Sequence, residues 1–261
     1  MSIPTIDFFG HKLSRLIFGG NPVAGVSHTS PELDGAMMDY YTTENVISAV
    51  AQCLREGINT IQFRGDAHSF RLIREMRNLG MDFHWIAQSA PEMGSFEGGM
   101  ARIAANRPTA IYMQGTDPLF YEGKPEAIRD RLKAMRDTGY PIGLGTHEPR
   151  LAALALEQDW DVDFFECCVY NMNLPDLSVK RFDRADCPMM YEIIRQSTKP
   201  CFAFKILAAA RRAQTEADLN EAFEDAFANI KPCDAVVVGM MNRDGDQIGQ
   251  NAQIVRRVLT A

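Results

Sequence analysis

Features that would point to a membrane or a nucleic acid are missing from the sequence. The longest apolar stretches, residues 201–210 and 235–241, fall far short of the about 20 residues that cross a bilayer, so we expect no membrane partner. The net charge is −7 and no run of lysine and arginine could track a phosphate backbone, so we expect no nucleic-acid partner. The amino terminus lacks a basic end followed by an apolar segment, which predicts no signal peptide.

Paired cysteines are also missing, because none of the six cysteines belongs to a Cys-x-x-Cys motif. Several of them lie in apolar, strand-like runs, where a reduced thiol behaves as a small hydrophobic side chain. We therefore expect structural cysteines rather than redox or nucleophilic ones. The same reasoning predicts no disulfide bonds and a reducing, cytoplasmic location.

The residues that are present alternate between short apolar strands and amphipathic helices, in a chain of 261 residues that are 46% apolar and 23% charged. Strands are predicted at residues 16–20, 59–64, 83–89, 110–115, 142–147, 164–170, 200–207 and 235–240. Helices are predicted at residues 43–56, 69–79, 96–106, 125–138, 149–157, 188–197, 216–229 and 246–259.

Eight strands, each followed by a helix, predict the α/β class and a single (β/α)8 TIM barrel that takes up residues 1–261 as one domain. The alternative is a doubly wound open sheet. That fold usually carries a Gly-x-Gly-x-x-Gly fingerprint after its first strand, and the sequence contains neither this fingerprint nor a Walker loop.

Two predicted connections, residues 21–42 and 171–187, are longer than the usual two to six residues. They follow the first and sixth strands, so both rise on the carboxyl-terminal face of the barrel, where long loops usually cover an active site. Simple insertions or a homo-oligomer contact are the alternatives.

Polar side chains follow or end most of the predicted strands, at the barrel mouth where this fold places its chemistry. The expected catalytic residues are His68, His147, Glu166 and Lys205, and the expected substrate-binding residues are Asn21, Gln62, Arg64, Gln88, Gln114, Tyr170 and Asn171. A charged side chain within an apolar strand is costly to bury unpaired. The charged members of this set therefore either form a buried ion network or face a polar substrate.

Four of the polar residues could together supply the nitrogen and oxygen ligands that Zn, Mn, Fe or Ni accept: Asp66, His68, His147 and Glu148. This makes a divalent metal one expected cofactor. The alternative is that His68 begins a helix and that His147 acts on the substrate without a metal.

The last two strand–helix connections carry a signal for an anion. Arg211 follows the seventh strand, and Asn242 and Arg243 follow the eighth, where barrels often bind the phosphate of a cofactor or substrate. Lys205 could bind a carboxylate or phosphate, or form a Schiff base with a carbonyl substrate. Two solvated basic turns are the alternative.

Segments along nearly the whole chain resemble the aldo-keto reductase superfamily. Residues 13–25 (LSRLIFGGNPVAG) and 57–63 (GINTIQF) are similar to its first two strands, and IYMQGTD, GLGTHEP and FFECCVYNMN to its fourth, fifth and sixth. The segment DQIGQNAQIV resembles the final helix, in which a Glu-Asn pair helps to hold the nicotinamide cofactor. The resemblance implies the barrel fold and NADP as a second candidate cofactor.

The catalytic tetrad of that family is replaced in this sequence. Its aspartate, lysine and histidine positions fall on Gln62, Gln88 and Gln114, and its tyrosine position falls near His68. Asn251 matches the cofactor asparagine, but a glutamine stands where the glutamate is usual.

We therefore expect an enzyme that acts on a small anionic or polyhydroxylated substrate, such as a sugar or a keto or hydroxy acid derivative. Its chemistry would be non-redox acid–base catalysis by a lyase, isomerase or epimerase, with or without a metal. The alternatives are an NAD(P)H-dependent reductase with a rearranged tetrad and a non-catalytic ligand-binding barrel.

Overall fold

The computed structural model describes residues 2–115, 123–170 and 182–260. Its centre is a closed barrel of eight parallel strands, in the order β10-β3-β4-β5-β6-β7-β8-β9. The barrel strands are β3 (Leu16–Gly19), β4 (Thr60–Arg64), β5 (His84–Gln88), β6 (Ala110–Met113), β7 (Ile142–Thr146), β8 (Phe164–Cys168), β9 (Cys201–Phe204) and β10 (Ala235–Gly239). The predicted TIM barrel is therefore confirmed.

Helices surround the barrel and cover the outward faces of its strands. In the described residues they are α1 (Pro31–Tyr40), α2 (Thr43–Arg55), α3 (Ala67–Asn78), α4 (Phe96–Ala105), α5 (Pro125–Arg136), α6 (Pro149–Glu157), α7 (Cys187–Gln196), α8 (Glu216–Asn229) and α9 (Gln247–Thr260). All eight predicted helices are present, with bounds within two residues at each end. Helix α2 is capped by Thr42, whose side chain accepts a hydrogen bond from Asn45, and not by Thr43 as its sequence suggests.

An antiparallel hairpin of β1 (Thr5–Phe8) and β2 (His11–Ser14) precedes the barrel and was not predicted. Phe9 and Gly10 both have positive φ, which suits the two-residue turn of a hairpin. The Phe8 ring lies 5.3 Å from the rings of both Phe164 and Phe202, at the strand starts inside the barrel. The hairpin therefore closes the amino-terminal end of the barrel with apolar side chains.

The first long connection, residues 21–42, contains a helix that the sequence patterns did not predict. Helix α1 occupies ten of these residues, and Ser30 caps it by accepting a hydrogen bond from Leu33. The expected substrate residue Asn171, like most of the second connection, lies outside the described residues.

The six cysteines have free thiols, and Cys233 is the one that is exposed. Within the described residues, no helix is both long enough and apolar enough to span a membrane.

Gly143 of β7 makes room inside the barrel for Phe164 of the neighbouring strand. A methyl group at position 143 would lie 2.5 Å from the Phe164 ring, which is fully buried. We expect Gly143→Ala to lower the free energy of unfolding by about 2–3 kcal/mol, because a packed ring cannot move away. The control is Gly35→Ala in exposed helix α1, where a methyl group meets nothing within 4 Å. Urea denaturation should show that this variant is unchanged or slightly stabilised.

Candidate functional site

A cleft of about 400 Å³ opens at the carboxyl-terminal end of the barrel strands. Its walls come from the connection between β3 and α1, from the first turns of α1, and from the loop after β9. The lining residues are Val26, His28, Thr29, Ser30, Pro31, Asp34 and Arg211. This end of a (β/α)8 barrel is the end at which its enzymes carry their active sites.

Lys205 and His28 meet beside this cleft. The Lys205 Nζ atom lies 2.9 Å from His28 Nε2, and the Asn21 side-chain nitrogen lies 3.2 Å from the same atom. An ammonium group has hydrogens but no lone pair, so a charged Lys205 donates and His28 Nε2 accepts. His28 is therefore placed to accept a proton from Lys205 or to return one.

The backbone at this contact is in an unfavourable conformation. Lys205 has φ of 64° and His28 has φ of 59°, and the run Ala208–Ala210 that follows Lys205 is also left-handed. Each non-glycine residue in this region costs about 1–2 kcal/mol. Five of the eight such residues in the described chain thus lie around one cleft. Strained backbone of this kind collects at functional sites, where surrounding packing holds it in place.

His147 directly follows β7 and packs against Phe204, the ring that Lys205 also approaches. Its ring packs edge-on against Phe204 at 5.2 Å, and Lys205 Nζ lies 5.4 Å from the same Phe204 ring. Burial and the positive charge of Lys205 lower the pKa of His147 to about 3, while the Gly115 backbone acts in the opposite direction. Its Nδ1 atom is buried and has no hydrogen-bond partner among the described residues. At neutral pH the ring is an uncharged group that can hydrogen-bond a substrate.

The lowered pKa of His147 predicts a specific loss of stability in acid. Unfolded histidine takes up a proton below pH 6.5, whereas folded His147 stays neutral until about pH 3, so stability falls as the pH drops between these values. We expect His147→Leu to remove on the order of 3 kcal/mol of this loss between pH 7 and pH 4. Urea denaturation at both pH values measures it.

The matched control for this measurement is His68→Leu, because His68 is exposed on α3. It should keep the wild-type dependence on pH. Equal pH dependence of the wild type and both variants would show that folding does not lower the pKa of His147.

A polar bridge crosses the barrel interior below the cleft. Glu166 of β8 and Gln62 of β4 lie on opposite sides of the barrel. With the Gln62 amide oxygen accepting from the Tyr112 hydroxyl at 2.6 Å, its nitrogen lies 3.1 and 3.3 Å from the two Glu166 carboxyl oxygens. Glu166 is fully buried, and burial raises its pKa well above the usual value. Burial and the nearby Glu166 likewise raise the pKa of Tyr112. Burial therefore favours the uncharged form of both groups.

Arg64 is held in an ion network at the rim and does not pair with Glu166. Its guanidinium bonds Glu92, lies 3.7 Å from Asp66, and is 3.4 Å from the Gln88 side-chain oxygen. This network lies at the rim and differs from the buried network among the charged strand residues that the sequence left open as one interpretation. The role of Arg64 in substrate binding stays a prediction.

Two further mouth residues lie close to the cleft wall. Arg211 stacks over the ring of Phe182 at 4.6 Å, and Tyr170 packs against the same ring at 5.4 Å. The Tyr170 side chain is buried, and burial raises its pKa to about 12, so it too stays protonated. Gln114 is half-buried after β6, and its backbone N–H donates to Ser89.

The four expected metal ligands are not brought together. Asp66 caps helix α3 by accepting from Ser69, His68 is exposed on that helix, and Glu148 precedes helix α6. Throughout the part of the chain that the structure describes, no three His, Cys, Asp or Glu side chains are close enough to hold a metal ion. The expected metal site of Asp66, His68, His147 and Glu148 therefore does not fit, and we derive no step through a metal.

The expected cofactor residues are also dispersed. Asn242 accepts from the Ile248 backbone at the start of α9, Arg243 pairs with its neighbour Asp244, and Asn251 is buried on α9. Arg211 alone among them lines the cleft. The Asn242 side-chain nitrogen donates to Gln52 at 2.9 Å, and two of the Arg243 side-chain nitrogens donate to Asp244, so these donors are engaged within the protein. Binding of NADP stays a prediction.

Two residues of the site were missed at the sequence level. His28 lies in the predicted connection of residues 21–42 and Tyr112 in the predicted strand of residues 110–115, and neither was among the expected site residues. No spacing in the sequence links His28 with Lys205, since 177 residues separate them. The inward position of Tyr112 could have been inferred from alternation with Gln114.

Comparison with known proteins supports the fold but does not assign the chain to a family. No protein-family model matches the sequence, and no curated protein matches it. Among solved structures, Xanthomonas albilineans dihydropteroate synthase with 4-aminobenzoic acid is 12% identical, with a TM-score of 0.57 over 100% of this chain and 98% of its own. Gox0644 in its apo form is 10% identical, with a TM-score of 0.63 over 99% of this chain and 94% of its own. Mandelate oxidase with (S)-2-phenylpropionate is 14% identical, with a TM-score of 0.59 over 99% of this chain and 76% of its own.

At these identities the similarity shows the barrel fold alone. The resemblance to aldo-keto reductases is not shown by any of these matches.

Proposed function

We propose that the protein is an enzyme that transfers protons on a small, oxygenated, anionic substrate, in the manner of an isomerase, epimerase or lyase. The observation that carries this proposal is the 2.9 Å contact of Lys205 with His28, made beside a cleft at the barrel mouth by two residues with strained backbones. An amine and an imidazole in hydrogen-bond contact supply one proton donor and one proton acceptor.

The cleft suits an anionic group. Lys205 and Arg211 bring positive charge to it, and helix α1 begins at its wall with Ser30 as the cap. Asp34 also lines the cleft, and its carboxylate accepts the Ser27 backbone N–H at 2.6 Å. Among the described residues, Lys205 and Arg211 bring two positive charges to the cleft and Asp34 brings one negative charge, which favours a substrate with a phosphate or carboxylate group.

The uncharged groups around the contact complete the proposed chemistry. Neutral His147 can accept a hydrogen bond from a substrate hydroxyl or donate one to a substrate carbonyl. Because its pKa is low, it does not compete for the proton of Lys205. Burial raises the pKa of Glu166 and of Tyr112 and so favours their uncharged forms, which do not repel an anion.

Hydrogen exchange tests the proposal across whole classes of compounds. Sets of sugar phosphates and of keto and hydroxy acids are incubated with the protein in D2O and followed by proton NMR. The expected result is loss of the proton on the carbon next to a carbonyl or hydroxyl in one compound class. Retention of every such proton by compounds that bind would contradict the proposal and identify a ligand-binding barrel. Parallel titration with NADPH checks the reductase alternative.

A further inference from the structure

A second concave site lies at the opposite end of the barrel from the mouth. Helices α3 and α4 end there, because each runs from a strand's carboxyl end back to the start of the next strand. Between their last turns is a cavity of about 230 Å³, lined by Arg74, Arg77, Asn78, Ala105, Asn106 and Arg107. Three of its six lining residues are arginines in a chain of net charge −7.

Buried Asn106 positions these arginines. Its side-chain oxygen accepts from Arg74 Nε at 2.7 Å, and its side-chain nitrogen donates to the Arg102 backbone at 2.8 Å. Arg77 donates from its two terminal nitrogens to the backbone oxygens of Asn106 and Arg107. The guanidinium groups of Arg74 and Arg77 are thus held in place by neutral acceptors.

The charge of the three arginines is not neutralised within the described chain. Arg74, Arg77 and Arg107 have no carboxylate within ion-pair distance among the described residues, whereas Arg136 and Arg256 each pair with acidic side chains. Burial and the charge of Arg107 lower the pKa of Arg77, which is the effect of like charges held together.

Donors remain for a ligand. The terminal nitrogens of Arg74 and the whole Arg107 guanidinium make no hydrogen bond to the described residues. Guanidinium groups bind phosphate through paired, charge-assisted hydrogen bonds. We propose that this pocket, between α3 and α4, binds a phosphate group, either inorganic phosphate or the phosphate end of a small monoester. The pocket is separate from the mouth, and the inference does not rest on the proposed function.

Calorimetric titration with inorganic phosphate at pH 7.5 tests this site. Because Arg211 at the mouth can also attract phosphate, an Arg211→Gln protein is the reference. In that background Arg74→Gln with Arg107→Gln is expected to weaken phosphate binding at least about tenfold, since two charged donors are lost. In phosphate-free buffer Arg107→Gln alone should leave the melting temperature unchanged or raise it, because repulsion with Arg77 is relieved and the Arg107 side chain makes no hydrogen bond to the described residues.

The matched control is Arg71→Gln, which removes an exposed arginine one turn earlier on α3 and outside the cavity lining. It should leave phosphate affinity within twofold of the reference. The proposal is overturned if the reference protein binds no phosphate, if the double substitution leaves affinity within twofold, or if Arg71→Gln weakens binding equally. Titration with glycerol phosphate in parallel distinguishes free phosphate from a monoester as the preferred ligand.

Discussion

Replacing Lys205 by methionine is expected to slow substrate hydrogen exchange by about 10²–10⁴-fold, the usual contribution of a positioned acid or base. Methionine has a similar length and an apolar stem but has no proton to donate, so it removes the 2.9 Å contact with His28 and keeps the packing on Phe204. The left-handed backbone at this position is equally costly for both side chains, so the melting temperature should change little.

A second readout of the same variant needs no substrate. The charge of Lys205 helps to lower the pKa of His147, so Lys205→Met should raise the pKa of His147, which NMR titration of the imidazole can follow. Lys12→Met is the control. Lys12 is exposed and pairs with Asp7 on the hairpin at the amino-terminal end of the barrel, which is the end opposite the mouth. An exchange rate within threefold of wild type in Lys205→Met would contradict the assigned role.

The fold was predictable because the barrel strands are short, apolar and regularly spaced between helices. All eight predicted barrel strands are present, with ends that differ by at most three residues. The β1–β2 hairpin was missed because each of its strands has four residues and mixed polarity, which leaves no clear alternating pattern. Helix α1 was missed because it has no buried residues and so lacks an apolar stripe.

The site was less predictable than the fold, because it depends on contacts between distant segments. Alternation along the seventh barrel strand groups Lys205 with Cys201 and Ala203, which pack in the outer core. The strand ends at Phe204, and the left-handed backbone of Lys205 breaks that alternation. Its contact with His28 therefore arises from a local backbone conformation that the pattern of strands does not encode.

Closure of the barrel likewise creates the contact between Gln62 and Glu166. The sequence predicts that each lies inside the same barrel and near a strand end. It does not predict that Gln62 reaches across to Glu166 while bonding Tyr112, because side-chain reach across the interior depends on strand tilt and on the small residues Gly143 and Gly145.

Glu166→Gln is expected to stabilise the folded protein, and the gain should grow with pH. Burial raises the pKa of folded Glu166 well above 4.5, whereas the unfolded side chain ionises near 4.5. As the pH rises above 4.5, the unfolded chain releases a proton that the folded protein retains, so wild-type stability falls. Each pH unit in that interval costs about 1.4 kcal/mol. Glutamine does not ionise, has nearly the same shape and still accepts from Gln62, so the variant avoids this cost.

Urea denaturation at pH 4.5 and pH 7 separates this effect from a simple packing change. The variant and the wild type should be similar at pH 4.5, and the variant should be the more stable of the two at pH 7, by a margin that grows as the pH rises from 4.5. Exposed Glu157→Gln is the control and should differ from wild type by less than about 0.5 kcal/mol at both pH values. A variant that is less stable than wild type at pH 7 would mean that Glu166 is ionised in the folded barrel, with a cation as its partner. If the variant is more stable but exchanges substrate hydrogen more slowly, then Glu166 contributes to the reaction and lowers the stability of the fold.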